Sequence, residues 1–311
     1  MCLTLVSFPS MFSFIILSLA GCSVAQNAQT KVTLDSTYGT VAPPIGSFAQ
    51  DPKHIRVVSG ILLAVSLAFL GISVTESRRW NSTVPTALTV GAASCVLAEA
   101  INCYLSNVYW TQSHDPSQLM FTLLGREFDI YVGIIWWSFG AVLSCGIFGA
   151  LMRDVRTGTL WILLGLAGFF DFVLEESMLQ YGGIYTYYGH QPLVLLKLFP
   201  CWWLFCNVSG IFLGIAITYR YRAWFNGWRS VFLLPILPFC YVGPQVLAAM
   251  PTIYVVQADH APITTQLCGI LTCCIAIVQT GVMMDVVLER DPLKFNGSAR
   301  NMRFNKGRKS A

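Results

Sequence analysis

The sequence is poor in charged residues. Only 11% of its 311 residues are Asp, Glu, Lys or Arg, whereas 55% are hydrophobic, and the mean hydropathy is +0.61. A soluble domain carries about 25% charged residues, so this composition excludes an ordinary soluble protein and indicates one embedded in a membrane. Nucleic acid is not an expected partner, because the excess positive charge lies in a short tail beside an apolar run, which is typical of contact with anionic lipid.

Histidine is equally scarce, and the cysteines lack a metal-binding spacing. The chain contains 4 His and 11 Cys. Most of the cysteines lie inside apolar runs, where a thiol serves as a small packing residue. We therefore expect neither a metal centre nor another cofactor.

Seven apolar runs are long enough to cross a bilayer, which takes about 20 residues of helix. Only helices or closed barrels satisfy the backbone in hydrocarbon, and these runs are too long and continuous for barrel strands. We predict an all-α, polytopic bundle of seven transmembrane helices without an evident internal repeat. The predicted helices cover 57–75, 84–110, 129–152, 157–179, 192–219, 230–250 and 264–287.

The two ends of the chain lie outside the predicted seven-helix domain, 57–287. Residues 1–25 are apolar and end in small residues, which predicts a signal peptide or an additional N-terminal helix. Residues 26–56 are polar and interrupted by Pro and Gly, as expected of an irregular segment. Residues 288–311 form the basic tail.

The placement of Arg and Lys predicts the orientation. The loops after the first, third and fifth predicted helices are basic, and so is the tail, so seven helices put all four on one side. We expect that side to be cytosolic and residues 26–56 to lie on the other side, in the endoplasmic reticulum or the plasma membrane. The basic loop residues are Arg78, Arg79, Arg153, Arg156, Arg220, Arg222 and Arg229.

Carboxylates interrupt two of the apolar runs. Asp171 and Glu175 lie four residues apart in the fourth predicted helix, and Glu99 lies in the second. An ionised carboxylate at the centre of a bilayer helix costs about 2.5–3.5 kcal/mol, so such residues usually face a bundle interior and mark a site. Asp171 and Glu175 share a helix face, and if Glu99 faces them, three carboxylates line one cavity. The alternative is that they only join helices through polar contacts.

Such a cavity could carry out acid–base chemistry. Two nearby carboxylates in an apolar site cannot both ionise cheaply, so a protonated carboxyl would act as general acid and an ionised neighbour as base. Asp171, Glu175 and Glu99 are therefore the candidate catalytic residues. Polar and aromatic residues in the same half of the predicted bundle are candidates for substrate binding, namely Asn102, Asp129, Trp136, Tyr185, Tyr187, His190, Trp202 and Asn207.

Several of these residues also have a simpler explanation. Trp and Tyr gather at both membrane interfaces, which would account for Tyr185 and Tyr187, and His190 could be an ordinary loop histidine. Glu176 points away from Glu175 on a helix and is expected at the interface. Lys197 is expected to extend its ammonium group to the interface as well, and the alternative is that it pairs with one of the carboxylates.

One segment resembles a known family. Asp171 and Glu175 are followed by Gln180-Tyr-Gly-Gly-Ile-Tyr185-Thr-Tyr187-Tyr-Gly-His190 and then by Phe199-Pro200-Cys-Trp202-Trp203. This acidic helix end, Gly-x-Tyr-x-Tyr loop and Pro-containing helix resemble the membrane spirocyclase family of the avermectin type. The layout is also similar to that of integral-membrane carotenoid hydratases and cyclases. Both resemblances imply acid–base chemistry on a lipophilic natural product without a redox cofactor.

We therefore expect a membrane enzyme that cyclises, dehydrates or isomerises a lipophilic polyketide or terpenoid, with membrane lipid around it. Asp171 or Glu175 would protonate the substrate, and Glu99 would act as base or orient it. A proton-coupled transporter or a lipid-binding protein would also place carboxylates in the membrane. A seven-helix receptor fits the topology, but 264–287 has no Lys for a retinal Schiff base, and the receptor signatures after the third helix and in the seventh are missing.

Overall fold

The computed structural model describes residues 41–43, 51–179, 183–196 and 199–297. The predictions for residues 1–25 and for Lys197 concern residues outside these ranges. The predictions for most of residues 26–56 and for the part of the basic tail beyond residue 297 also concern residues outside these ranges.

Within the described ranges, seven helices are long and apolar enough to cross a membrane. The prediction of an all-α, seven-helix fold is confirmed, and the chain is a multi-pass membrane protein. The helices are α1 (Pro52–Trp80), α2 (Val84–Ser106, with a 3-10 turn at Ala92–Cys95), α3 (Ile130–Met152), α4 (Thr157–Ser177), α5 (Trp202–Arg220), α6 (Leu233–Val256) and α7 (Pro262–Val286).

The second helix ends earlier than hydropathy predicts. It was expected to reach residue 110, but Asn107 adopts a left-handed conformation, with φ of 57°, and the next three residues form a strand. Asn tolerates this conformation better than most residues, so it ends the helix at Ser106. The strand was missed because a short buried strand and a buried helical turn are equally apolar.

The fifth helix begins later than predicted, at Trp202 rather than at residue 192. The preceding residues form a small hairpin, in which Leu193 and Leu196 have φ values of 55° and 54°. Pro200 lies in its second strand, where a missing N–H is tolerated better than inside a helix. The helix accordingly begins only after this proline.

Six short strands among the described residues lie at one end of the bundle, in the connections from α2 to α3 and from α4 to α5. They form three antiparallel pairs, in which β1 pairs with β4, β2 with β3, and β5 with β6. We call these strands the β cap and the opposite end of the bundle the arginine end. The strands are β1 (Val108–Trp110), β2 (Leu119–Leu123), β3 (Arg126–Asp129), β4 (Tyr185–Tyr187), β5 (Val194–Leu195) and β6 (Phe199–Pro200).

Helix α5 lies at the centre of the bundle. It packs against α3, α4, α6 and α7 and is the most buried of the seven helices. Its closest approach is to α6, where a Cβ atom on Gly210 would lie 2.5 Å from the carbonyl oxygen of Tyr241. Helices α1 and α4, by contrast, are largely exposed on their outer faces, as expected of helices that border lipid.

At the arginine end, the chain after α7 folds back onto the start of α4. The amides of Thr157 and Gly158 donate to the carbonyl groups of Gly297 and Phe295, both at 2.9 Å. The fully buried Arg290 donates to the Asp154 carboxylate. These contacts satisfy N–H groups that a helix start leaves unpaired, and they hold the peripheral helix α4 in place.

Candidate functional site

Three carboxyl groups meet beneath the β cap. Glu99 comes from α2, and Asp171 and Glu175 come from α4. Glu99 and Asp171 are each only 3% exposed. The three groups lie close enough to interact electrostatically with one another. The structure therefore brings the three candidate catalytic residues together, and described protein groups pack against them.

The Glu99 carboxyl is held through one of its two oxygens. Its Oε1 accepts from the indole N–H of Trp110 and from the Cys103 thiol, both at 3.1 Å. Its Oε2 is buried and has no hydrogen-bond partner among the described residues. Thus Oε1 fixes the orientation of the group, and Oε2 is the atom left to exchange a proton.

The β cap supplies one donor to each of two carboxyls. Trp110 and Tyr185 are directly opposite each other in the β1–β4 pair, and their ring centroids are 4.5 Å apart. Trp110 donates to Glu99, and the Tyr185 hydroxyl donates to Glu175. The register of this short ladder therefore decides which polar groups reach the carboxyls.

Asp171 is the final acceptor of a buried hydrogen-bond network that joins four helices. Its Oδ2 accepts from the Asn207 side-chain amide at 3.3 Å. The Asn207 carbonyl oxygen accepts from the Tyr241 hydroxyl at 2.9 Å and from the Gln245 amide at 3.3 Å. Gln245 in turn accepts from Asn102 at 2.8 Å. Because α2, α4, α5 and α6 each contribute, the position of Asp171 depends on the packing of the whole bundle.

None of the basic side chains that the structure describes neutralises the three carboxyls. Within the described ranges, no Lys, Arg or His lies within 4.0 Å of Glu99, Asp171 or Glu175. Elsewhere in the same residues Glu76, Asp154 and Glu289 form ion pairs with arginines. Among the described residues the cluster is therefore acidic without a compensating cation, an arrangement that is costly inside a membrane.

Arg126 instead organises the backbone above the cluster. Its guanidinium donates to the carbonyl groups of Cys103 and Val108, on either side of the turn at Asn107. It also donates to the Tyr188 hydroxyl and lies 5.7 Å from the ring centroids of Tyr104 and Tyr188. Arg126 thereby joins the end of α2 to β1 and to the residue after β4.

Replacing Arg126 with Gln should loosen the β cap. We expect unfolding in detergent to become easier by about 1.5–3 kcal/mol, the usual contribution of hydrogen bonds to a charged group. Hydrogen exchange should speed up in β1 and β4. Arg56→Gln, which removes an exposed charge at the same end, is the control, and equal exchange in both variants would contradict this role.

Tyr187 lies beside the carboxyl cluster, whereas Trp202 faces away from it. The Tyr187 ring packs against Phe199 and Trp203 at centroid distances of 5.7 and 5.8 Å. Burial, together with the nearby carboxyls, raises the pKa of the Tyr187 hydroxyl well above its ordinary value, so the group stays neutral. Trp202 is fully buried and donates to Gln191 in the loop.

Trp136 packs against Tyr241 of the hydrogen-bond network. Its ring is 4.8 Å from that of Tyr241, and its buried N–H has no hydrogen-bond partner among the described residues. Both rings border a small internal cavity, shared with Cys95 and Gly140, that has room for about one water molecule. This cavity is too small for a lipophilic substrate.

Two predicted binding residues contact loop residues. The Nδ1 atom of His190 lies 3.6 Å from Asp259, in the loop between α6 and α7. Asp129 accepts the Ser113 amide at 2.9 Å. Glu176, expected at the interface, is instead buried and accepts the Phe199 amide at 3.0 Å, so it holds β6 in place.

Four residues that contact the cluster or belong to its hydrogen-bond network were not among the candidate site residues. They are Cys103, Trp110, Tyr241 and Gln245. Helical spacing carries a signal for two of them, because Cys103 follows Glu99 by one turn and Gln245 follows Tyr241 by one turn. For Trp110 the sequence carries no such signal, since a strand pairing places it.

Comparison with known proteins finds no matching family model, no similar curated protein and no matching solved structure.

Proposed function

We propose that this protein is an integral-membrane enzyme that cyclises, isomerises or dehydrates a lipophilic polyketide or terpenoid by acid–base chemistry. The observation that supports this most directly is the meeting of the buried Glu99 and Asp171 with the half-buried Glu175, without a paired cation among the described residues. Burying unpaired carboxyls costs free energy. Carboxyls that are buried at such a cost are typical of a functional site rather than of residues that only pack the core.

The contacts of each carboxyl suggest its role. Glu175, or Asp171, would deliver a proton to a carbonyl, enol ether or alkene of the substrate. The positive charge that develops would be stabilised by the π faces of Trp110 and Tyr185. Glu99 would remove a proton from the substrate through its unpartnered Oε2. Proton exchange between the neighbouring carboxyls would then restore the starting protonation state of the cluster. The product is then an isomer of the substrate or differs from it by one water.

The surroundings of the cluster favour an apolar substrate from the lipid. Helix α4 carries Asp171 on its inner face and the exposed Phe169 and Phe170 on its outer face. A small displacement of this peripheral helix would open a route from the lipid to the carboxyls. The resemblance of residues 171–203 to membrane spirocyclases supports the same substrate class. We place the β cap on the non-cytosolic side and the arginine end in the cytosol, in the endoplasmic reticulum or the plasma membrane.

A comparison of lipid-soluble metabolites tests this proposal. Extracts of cells that contain the wild-type protein should be compared with extracts of the same cells after disruption of the gene. We expect one compound to disappear and a precursor to accumulate that has the same elemental composition or differs by one water. A difference that involves hydrogen atoms alone would indicate redox chemistry and contradict the proposal.

A proton-coupled transporter is the second candidate, because the same uncompensated carboxyls would suit it. Proteoliposomes that contain the purified protein separate the two functions. A transporter would move protons together with a solute that is recovered unchanged. An enzyme would convert the precursor equally well in proteoliposomes and in detergent, where no gradient exists.

A further inference from the structure

An aromatic and basic surface lies at the arginine end, in the connection from α5 to α6. This connection contains a short helix, Arg222–Phe225, followed by a 3-10 turn, Gly227–Phe232, in which no side chain is buried. The Asn226 side chain accepts the Thr83 amide at 2.9 Å, and the Thr83 hydroxyl accepts the Gly227 amide at 2.9 Å. The connection is therefore fastened to the turn between α1 and α2 and holds a defined shape.

Two aromatic rings of this connection form a stack on the outside of the protein, and a third ring packs against it at a tilt. Trp224 and Phe232 are nearly parallel, with centroids 5.7 Å apart, and Trp228 lies 5.8 Å from Phe232. Trp228 is 73% exposed and Trp224 is 47% exposed. Large exposed rings next to the end of a membrane-spanning helix are suited to the boundary between hydrocarbon and headgroups.

Arg229 adds a positive charge to this stack. Its guanidinium lies 5.4 Å from the Trp224 ring centroid and 5.9 Å from that of Trp228. Among the described residues no carboxylate lies within 4.0 Å of Arg229, because Glu76 and Glu289 at this end pair with other arginines. A rigidly held guanidinium on an aromatic base offers hydrogen-bond donors that match the oxygens of a phosphate.

We infer that Arg229, Trp224 and Trp228 form a binding site for the headgroup of an anionic phospholipid. The guanidinium would bind the phosphate, and the rings would contact the glycerol and the upper acyl chains. A lipid is favoured over a soluble phosphate ester because the exposed rings give binding energy only to a ligand that brings apolar surface to them. This inference does not depend on the proposed enzymatic function, because the site lies at the end of the bundle opposite to the carboxyls.

Lipid titration of the purified full chain, followed by native mass spectrometry, tests the site. The probes are phosphatidylglycerol and phosphatidylcholine with identical acyl chains. We expect the wild type to bind phosphatidylglycerol more tightly, and Arg229→Gln to weaken that binding about fivefold, the effect of one basic residue at a membrane surface. Trp228→Ala should weaken the binding of both lipids. The basic tail is present in every variant, so its contribution cancels.

Arg56→Gln is the matched control, since Arg56 is an exposed arginine at the other end of the bundle. It should retain the wild-type preference. The inference is overturned if Arg229→Gln keeps the full preference for phosphatidylglycerol, or if Arg56→Gln loses as much of it. It is also overturned if glycerophosphoglycerol, the same headgroup without acyl chains, displaces the lipid at equal concentration, because the site would then be one for soluble phosphate esters.

Discussion

Asp171→Asn should lower the rate of the proposed conversion by about 10²–10⁴-fold, the usual contribution of a positioned acid–base group. The fold should survive, because the Asn side-chain oxygen can still accept the hydrogen bond from Asn207 that Asp171 accepts at 3.3 Å. Only the ability to exchange a proton is lost. The measurement is conversion of the accumulated precursor by membranes that contain equal amounts of each protein.

Glu176→Gln is the control for this experiment. Glu176 is the next residue after Glu175 and is similarly enclosed, but it binds the Phe199 amide, and Gln can still accept that hydrogen bond. We expect wild-type conversion. If Glu176→Gln and Asp171→Asn lower the rate equally, the effect comes from disturbing the end of α4 and not from acid–base chemistry.

A double variant shows whether the carboxyls act as a unit. If Glu99 and Asp171 serve the same proton transfer, the double variant Glu99→Gln, Asp171→Asn should be little slower than the slower single variant. If their rate losses multiply, the two groups act independently and the shared site is refuted.

Gly210→Ala should be the most damaging small substitution in the core. The new methyl group would lie 2.5 Å from the carbonyl oxygen of Tyr241, which belongs to the backbone of α6 and cannot rotate away. Helices α5 and α6 would have to separate, at a cost of about 1–3 kcal/mol for overpacking. Separation would also weaken the hydrogen bond between the Tyr241 hydroxyl and Asn207. We expect a lower thermal unfolding temperature in detergent together with reduced conversion.

Gly146→Ala is the matched control. Gly146 is also inside a membrane-spanning helix, α3, but no atom lies within 4 Å of the position that its Cβ would take. Since Ala favours helix over Gly by about 1 kcal/mol, this variant should be as stable as the wild type or more stable. A Gly210→Ala protein that unfolds at the same temperature as Gly146→Ala would show that the α5–α6 contact is not tight.

Hydropathy and charge were sufficient for the coarse fold. Each of the seven helices lies where an apolar run predicts it, because a bilayer imposes nearly the same length and composition on every spanning helix. The pairing of Asp171 with Glu175 on one face also follows from the chain alone, since residues four apart on a helix are neighbours. These features depend only on the order of residues along the chain, so they can be predicted from the sequence.

The partners of the carboxyls could not be predicted in this way. Trp110 reaches Glu99 because Asn107 ends α2 and lets β1 pair with β4, and that pairing joins residues far apart in the chain. Asn207 reaches Asp171 only because α4 packs against α5. The spacing along the chain contains no information about such contacts.

The sequence by itself thus determined that the described part of the chain has seven helices long and apolar enough to span a membrane and that three carboxyls lie on two of them, because both depend on composition and helical periodicity. Only the tertiary structure decided that Glu99 meets Asp171 and Glu175, that strands rather than helix cap them, and that no described basic residue pairs with them. Those features depend on which helices pack side by side, and that is set by the shape of close contacts such as the one between Gly210 and Tyr241.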